Sequence, residues 1–422
     1  MTTLNDESTF NAKPAELHLV VIGGGAAGFF GAIAAAETYP HHRVTLLEAG
    51  RVPLTKVAIS GGGRCNVTHA CFEPRQLVQH YPRGSKALLG AFSRFQPSDT
   101  VEWYDNRGVA LKTEADGRMF PVTNTSETIV DCLQTSAWDA GVRVWTGAMV
   151  QAVQPRGYQF EVVLKSGESV VGDRLLLATG SHPLGYRIAQ HLGHTLEPPV
   201  PSLFTFTVPD PKLRELAGIA VDDVRTKLWT SASTPIEQAG SVLITHWGFS
   251  GPAILKLSAW GARSLHDSHY QATLQINWCP HDTAETLYQR LVTLKASHPR
   301  RAIANIDAIQ VPRRLWVYLL ERTTVDPLTR MAELSKKELR RLVTEITQGR
   351  YSVKGKGVFK DEFVTCGGIC LNEVNFKTME SRICPGLYFA GEILDIDGVT
   401  GGFNFQSAWT TGWIAGQAMG SL

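Results

Sequence analysis

The sequence carries almost no net charge. Its 422 residues hold 41 Lys and Arg against 39 Asp and Glu, a formal +2 at pH 7. That balance argues against a dedicated nucleic-acid binder, and no nucleic-acid partner is expected, although a local basic patch is not excluded. The seven cysteines include no C-x-x-C pair. An odd number in so long a chain is no disulfide framework, so mostly reduced thiols in a cytoplasmic protein are expected. The sequence has no metal-ligand motif, no internal repeat and no low-complexity tract. No His-Ser-Asp order or spacing stands out, so no catalytic residue is assigned. The N-terminal "MTTLNDESTFNAKPAE" is polar and lacks the basic region of a signal peptide. From Leu17 to Ala36 no residue is formally charged, which is the length of a membrane span. Gly23, Gly24, Gly25, Gly28 and Gly31 interrupt that run. A strand, a turn and a helix fit it better, and no membrane association is expected.

What is present points to a nucleotide. A chain of this length predicts two or three domains, and 43% hydrophobic residues can fill a substantial core. His18 to Ile22 reads as a buried parallel strand. Gly23, Gly25 and Gly28 follow in G-x-G-x-x-G spacing and open an Ala-rich helix. In that motif the first glycine permits the tight turn, the second lets a pyrophosphate approach, and the third lets helix and strand pack. The helix start offers free N–H groups to phosphate. A second strand, "RVTLLEA", ends in Glu48, about twenty residues past the motif, where a ribose-binding acid belongs. A glycine-rich turn without ligand would show the same glycines.

Three later segments extend the pattern. "DRLLLATGSHP" runs an apolar strand into Thr179 and Gly180. "PGLYFAGEILDIDGVTGGFNFQSAW" places a strand before Gly391 and Glu392, then a glycine pair, Gly401 and Gly402, at the start of a helix. Ala408, Gly412 and Gly416 recur every four residues along that helix, a face of small side chains suited to close packing. "SGGGRCN", residues 60 to 66, gives up three side chains in a row at Gly61, Gly62 and Gly63, at an entropic cost.

These blocks, with "VVIGGGAAG", "GRMFPVTNTSETIVDCL", "THWGFSGPAIL" and "TCGGICLNEVNFKTMESRICPGLYFAGE", occur in order over nearly the whole chain. They resemble the HI0933-like flavoproteins, a family also described as aminoacetone oxidase-family FAD-binding enzymes. The resemblance implies an α/β fold: a Rossmann-like FAD-binding domain of the two-dinucleotide flavoprotein type, interrupted by an inserted β-barrel plus helical domain. It implies FAD as cofactor, with NAD(P)H only as a transient reductant, since a second G-x-G-x-x-G is missing. The cofactor-binding set it implies is Gly23, Gly25, Ala26, Ala27, Gly28, Glu48, Ala49, Lys56, Ser60, Gly61, Gly62, Gly63, Arg64, Cys65, Asn66, Val150, Thr179, Gly180, Gly391, Glu392, Asp397, Gly401, Gly402, Phe403 and Asn404. The triple glycine would then form a backbone surface for the cofactor, with N–H donors exposed. Arg64 would meet phosphate or a substrate anion, and Asn66 the flavin edge. Cys65 is either a redox partner of the flavin or a small buried thiol; reactivity needs an electropositive setting.

The cofactor domain is expected to be discontinuous, over 15–198 and 355–422, with an inserted domain over 199–354. That insert reads as β-rich to about 280 and helical from about 281 to 350. "EPPVPS" marks the exit from the first part and "SVKGKGVFKDEFVTCGGI" the return. Ser335 and Glu338 form a capping box before an amphipathic helix. In "THWGFSGPAIL", Ser250 to Pro252 read as a helix start. His246 there is either substrate-facing or bonded to backbone. The expected function is FAD-dependent oxidoreduction of a small organic substrate by hydride transfer to or from flavin N5. Two alternatives are an RNA-modifying flavoprotein, which a basic surface on the insert would support, and a non-catalytic flavin-binding regulator.

Overall fold

The computed structural model describes residues 16–230, 234–357 and 364–421. The polar N-terminal stretch before residue 16 and residues 358–363 of the expected return lie outside the described residues.

The first apolar run is a strand, His18–Ile22, buried along its whole length. It sits between Arg174–Leu177 and Arg43–Glu48, and all three run parallel. Leu387–Phe389 and Arg143–Thr146 extend the parallel sheet on either side. Strands covered on both faces lose the in-out alternation and read as continuous apolar runs, which is what "HLVVI" and "LLL" show. Two short antiparallel strands, Glu380–Ser381 and Val374–Asn375, finish one edge. An antiparallel three-strand unit, Val150–Arg156, Gln159–Leu164 and Ser169–Gly172, leads into Arg174; its alternating burial marks a sheet with one wet face.

Helix Ala26–Thr38 follows the first strand, and helix Phe403–Met419 closes the chain against it. A Cβ on Gly412 would lie 2.6 Å from the Ala27 carbonyl oxygen, and one on Gly416 would lie 2.3 Å from that of Gly31. The small-residue face therefore lets two backbones touch.

From Phe206 to Lys356 the chain forms a separate antiparallel sheet of seven strands. Its order begins with Gly349–Val353 and ends with Gly355–Lys356. Only Lys354 separates those two edges in sequence, so the sheet must curl round towards itself, as a barrel does. Helices Ala284–Ser297, Arg313–Arg322 and Lys336–Gln348 complete this part. It has its own core, from Phe204 to Val353, distinct from the core around the parallel sheet. The two are joined by an antiparallel pair, Leu196–Ser202 with Val364–Ile369. "EPPVPS" thus lies in a strand, with a register shift between Glu197 and Val200; prolines are tolerated at such an irregular edge. Pro252 begins a helix at Pro252–Trp260 as expected.

Candidate functional site

A cleft of about 1370 Å³ runs along the C-terminal ends of the parallel strands. That is where open α/β sheets bind ligands, and it is larger than a single drug-sized ligand needs. Its floor is built from the fingerprint. Gly23 has φ 112°, and a Cβ there would lie 2.4 Å from the Ala178 carbonyl oxygen. A Cβ on Gly28 would overlap the carbonyl oxygen of Gly23. Gly25 meets nothing within 4 Å, so a side chain there would project into the cleft. No side chain caps the helix behind it, leaving its first N–H groups turned to the opening.

Glu48 lines the same wall. Its carboxylate accepts from the Gly24 N–H at 2.7 Å and the Gly50 N–H at 2.6 Å. Lys56 reaches across to Glu392 at 3.0 Å, and Glu392 also accepts from the Thr365 N–H at 3.0 Å. This joins the N-terminal and C-terminal parts of the chain over one cavity. Thr179, on the cleft wall, has a buried hydroxyl with no partner. Tyr186, one turn into the next helix, has another.

"SGGGRCN" takes a shape only glycine adopts readily. Gly61, Gly62 and Gly63 have φ of 58°, 70° and 82°, three left-handed residues in succession. Gly62 meets nothing within 4 Å and opens on the cleft. Asn66 clamps this loop to the last helix: its side-chain N–H donates to the Thr68 carbonyl at 3.1 Å and its carbonyl accepts from the Gly402 N–H at 3.0 Å. At Gly402, φ is 93° and a Cβ would lie 2.5 Å from the Thr68 carbonyl oxygen. The helix Phe403–Met419 has no side-chain cap either.

The cleft thus gathers Gly23, Gly25, Ala26, Ala27, Glu48, Lys56, Ser60, Gly61, Gly62, Asn66, Thr179, Gly180, Gly391, Glu392, Gly401, Gly402 and Asn404. Other expected site residues do not line it. Gly28 serves the strand–helix contact. Ala49 is exposed at the end of its strand, and Val150 is buried where it pairs with Leu164. The Gly63 carbonyl accepts from the Ser126 N–H. Arg64 does not reach into the cleft: it pairs with Glu114 at 2.7 Å and lies 4.0 Å from the centre of the Phe120 ring. Cys65 is fully buried, and burial pushes its thiol up to about 12. Burial that keeps the thiol protonated disfavours the thiolate a redox partner needs. All seven cysteines are free.

Asp397 is buried and bound by Arg83, with the Ser202 hydroxyl donating to it at 2.8 Å. Burial pushes its carboxyl up, while Arg83 pulls the other way. Arg83 also donates to the Ala259 carbonyl at 2.7 Å, so this pair ties the cofactor part to the insert. Phe403 packs against both His69 and His80, with ring centres 4.7 and 4.3 Å away, and the two histidine rings lie 5.9 Å from each other. Both histidines are held below the usual range, chiefly by burial, His80 at about 4. Asn404 faces the cleft, but both ends of its amide are taken by Gly398. His246 is exposed in the turn at Thr245–Gly248.

The sequence did not point to the opposite wall. It comprises Pro199, Val200, Pro201 and Leu203 from the connecting strand, Lys356 from the insert, and Phe120 with Arg118. Nothing in the strings that hold them marks them as cleft-lining: Arg118 and Phe120 arrive on the strand Arg118–Pro121, Pro199 to Leu203 on and just after the connecting strand, and Lys356 on the edge of the insert's sheet. Among the described residues there is no cluster of three potential metal ligands, and no helix is long and apolar enough to cross a membrane.

The residues fit an adenine dinucleotide. Gly25 and Gly62 leave space that a Cβ would fill, two uncapped helix starts face the cleft, and a carboxylate stands at the end of the second strand. A family model described as "HI0933-like protein Rossmann domain" matches residues 17–418. A ribosomal RNA dihydrouridine synthase of Escherichia coli K12 is 31% identical over 94% of this chain and 96% of its own length. A 3-dehydro-bile acid delta(4,6)-reductase of Clostridium scindens is 28% identical over 94% and 98%. Among solved structures, a 3-ketosteroid-delta4-(5alpha)-dehydrogenase from Rhodococcus jostii RHA1 shares the fold, with a TM-score of 0.50 and 14% identity over 99% of both chains.

Proposed function

The chain belongs to the HI0933-like family, whose members are FAD-dependent oxidoreductases, and on that premise we propose that it reduces a carbon–carbon double bond conjugated to a carbonyl, in a uridine held within structured RNA. Bound FAD supplies the hydride from N5 of its ring. Both relatives named above support the bond type. Making dihydrouridine saturates a pyrimidine double bond next to a carbonyl, and a delta(4,6)-reductase of a 3-dehydro-bile acid acts on double bonds conjugated to a ketone. In either case one carbon takes the hydride and its neighbour a proton.

The chain's own residues bind and orient. Glu48 would accept from the ribose hydroxyls, and its charge would repel a 2′-phosphate. The free N–H groups at Gly25 to Ala27 would face the pyrophosphate. The Gly61–Gly62 and Gly401–Gly402 loops, clamped by Asn66, would bring backbone against the far end of the cofactor. Pro199 to Leu203 and Lys356 roof the cleft and would limit water there.

The observation that carries the RNA reading is the distribution of charge. Residues 281–357 hold fifteen Lys and Arg against eight Asp and Glu, within a chain that is nearly balanced. This departs from the expectation of no nucleic-acid partner, which rested on the total alone. A free small-molecule enone is the second reading, favoured by the similarity to the bile acid reductase. The test is nucleoside mass analysis of ribosomal RNA from cells lacking the protein, after incubation with the FAD-loaded enzyme and NADPH or a chemical reductant. We expect dihydrouridine to appear at one defined position. Unmodified RNA alongside turnover of a cyclic enone would replace the first reading by the second.

A further inference from the structure

We propose that the outward face of helix Lys336–Gln348, with Arg300, Arg301 and Arg330 beside its start, docks the phosphate backbone of structured RNA; this rests on the reading of an RNA substrate. The helix buries Leu339, Leu342, Val343 and Ile346 against the insert core. Its exposed residues are Lys336, Lys337, Arg340, Arg341, Thr344 and Gln348. Four of the six are cations and none is an acid. Placed at 100° per residue, all six fall within a sector of about 140°.

The acids of the helix are turned aside. Glu338 accepts from the Ser335 N–H at 2.7 Å, closing the capping box. Glu345 is bound to Arg322 at 2.6 Å. The four cations form no ion pair among the described residues, although Arg340 faces the Tyr288 ring at 5.7 Å. An ordinary solvated helix mixes both signs along its face.

A second segment enlarges the patch. The Met331 N–H donates to the Arg301 carbonyl at 2.9 Å, and the Ala332 N–H to the Pro299 carbonyl at 3.0 Å. Ala302 bridges Arg330. These bonds lay Arg300 and Arg301 beside Arg330, five residues before the helix N-cap Ser335. All three arginines are exposed, and none is in an ion pair among the described residues. The exposed Glu333 in this segment accepts from the Arg330 N–H, and it and the exposed Asp326 keep their negative charge beside the arginines. Seven unpaired cations on one surface lower their mutual repulsion by meeting a polyanion, and RNA phosphates do so with release of counterions.

The experiment uses the full, FAD-loaded chain and a transcribed ribosomal RNA fragment, with binding followed by fluorescence anisotropy over a KCl series. The charge-reversal variant Lys337→Glu/Arg340→Glu/Arg341→Glu should bind on the order of tenfold more weakly, with a log–log salt slope shallower by about 2 to 3. Its flavin absorbance and melting temperature should match the parent. A control, Lys86→Glu/Lys165→Glu/Arg187→Glu, makes the same change in total charge on other exposed positions and should bind nearly as the parent does. Equal loss in both variants would leave only net charge at work and overturn the docking face. Parent-like binding by the first variant would also overturn it, while leaving the RNA reading intact. A parent protein that neither binds nor modifies RNA would sink the RNA reading, and the docking face with it. Loss of binding to anionic phospholipid vesicles in the first variant, with RNA binding unchanged, would assign the face to a membrane instead.

Discussion

Glu48 ends a buried strand on the cleft wall, where its carboxylate is proposed to meet the ribose hydroxyls. Removing its carboxylate should weaken FAD binding by about 1.5–3 kcal/mol, the worth of hydrogen bonds to a charged group. In Glu48→Ala, FAD titration should show that loss; unchanged affinity would place the ribose elsewhere. Glu48→Gln should fall between the two, since it keeps an acceptor without the charge. His80 sets a different expectation. Its ring stays neutral in the folded protein down to about pH 4, whereas an unfolded histidine takes a proton near 6.5. Between those values the unfolded chain binds more protons, so stability falls as pH falls through that window. The loss from this one ring is at most about 3 kcal/mol. Thermal unfolding from pH 7.5 to 4.5 should show a flatter profile for His80→Gln than for the parent.

At the scale of elements, the contact between the first and last helices depends on what is missing. Gly416 lies against the Gly31 carbonyl, so a side chain there must push two helix backbones apart. Gly416→Val should cost about 1–3 kcal/mol by overpacking, or prevent folding. Gly402 differs, because both its φ of 93° and the nearby Thr68 carbonyl exclude a side chain. Gly402→Val should disturb the loop that Asn66 clamps. We expect purified Gly402→Val to carry much less FAD than Gly416→Ala at comparable melting temperature; equal flavin content would mean that the helix start does not line the cofactor. Ser335→Ala opens the capping box of the basic helix and should cost about 1 kcal/mol, read from chemical denaturation.

Across the whole molecule, the cleft is assembled from segments far apart in sequence. Glu48, Thr179 and Glu392 come from three of them, and Lys56 closes onto Glu392. A ligand that touches all three binds only the folded chain. FAD at a hundred times its dissociation constant should therefore add about 2.7 kcal/mol. A melting temperature independent of added FAD in the stripped protein would contradict this assembly. The Arg83–Asp397 pair, with Ser202 and the Ala259 carbonyl, joins the cofactor part to the connecting strand and the insert. Breaking it with Arg83→Ala leaves a buried carboxylate unpaired and should cost about 3–5 kcal/mol.

The fingerprint, the second-strand acid, the small-residue face of the last helix and the Ser335 capping box were legible in the sequence. Each is a pattern of residue type and spacing that can be counted along the chain, from three residues in the capping box to about twenty between fingerprint and acid. Arg64, Cys65, Asp397 and Phe403 were not legible in the same way. They adjoin motif glycines in sequence, but each side chain leaves the backbone towards Phe120, the core, Arg83 or the two histidines, and only packing sets that direction. Pro199 to Leu203 and Lys356 carry no motif at all. Pro199 to Leu203 reach the cleft through the paired connecting strands, and Lys356 through the edge strand of the insert's sheet. The charge of the insert was countable from the sequence, but its gathering on one face was not. Burial of Leu339, Leu342, Val343 and Ile346 decides which side of the helix meets water, and the bonds between residues 299–301 and 331–332 bring the other arginines beside it.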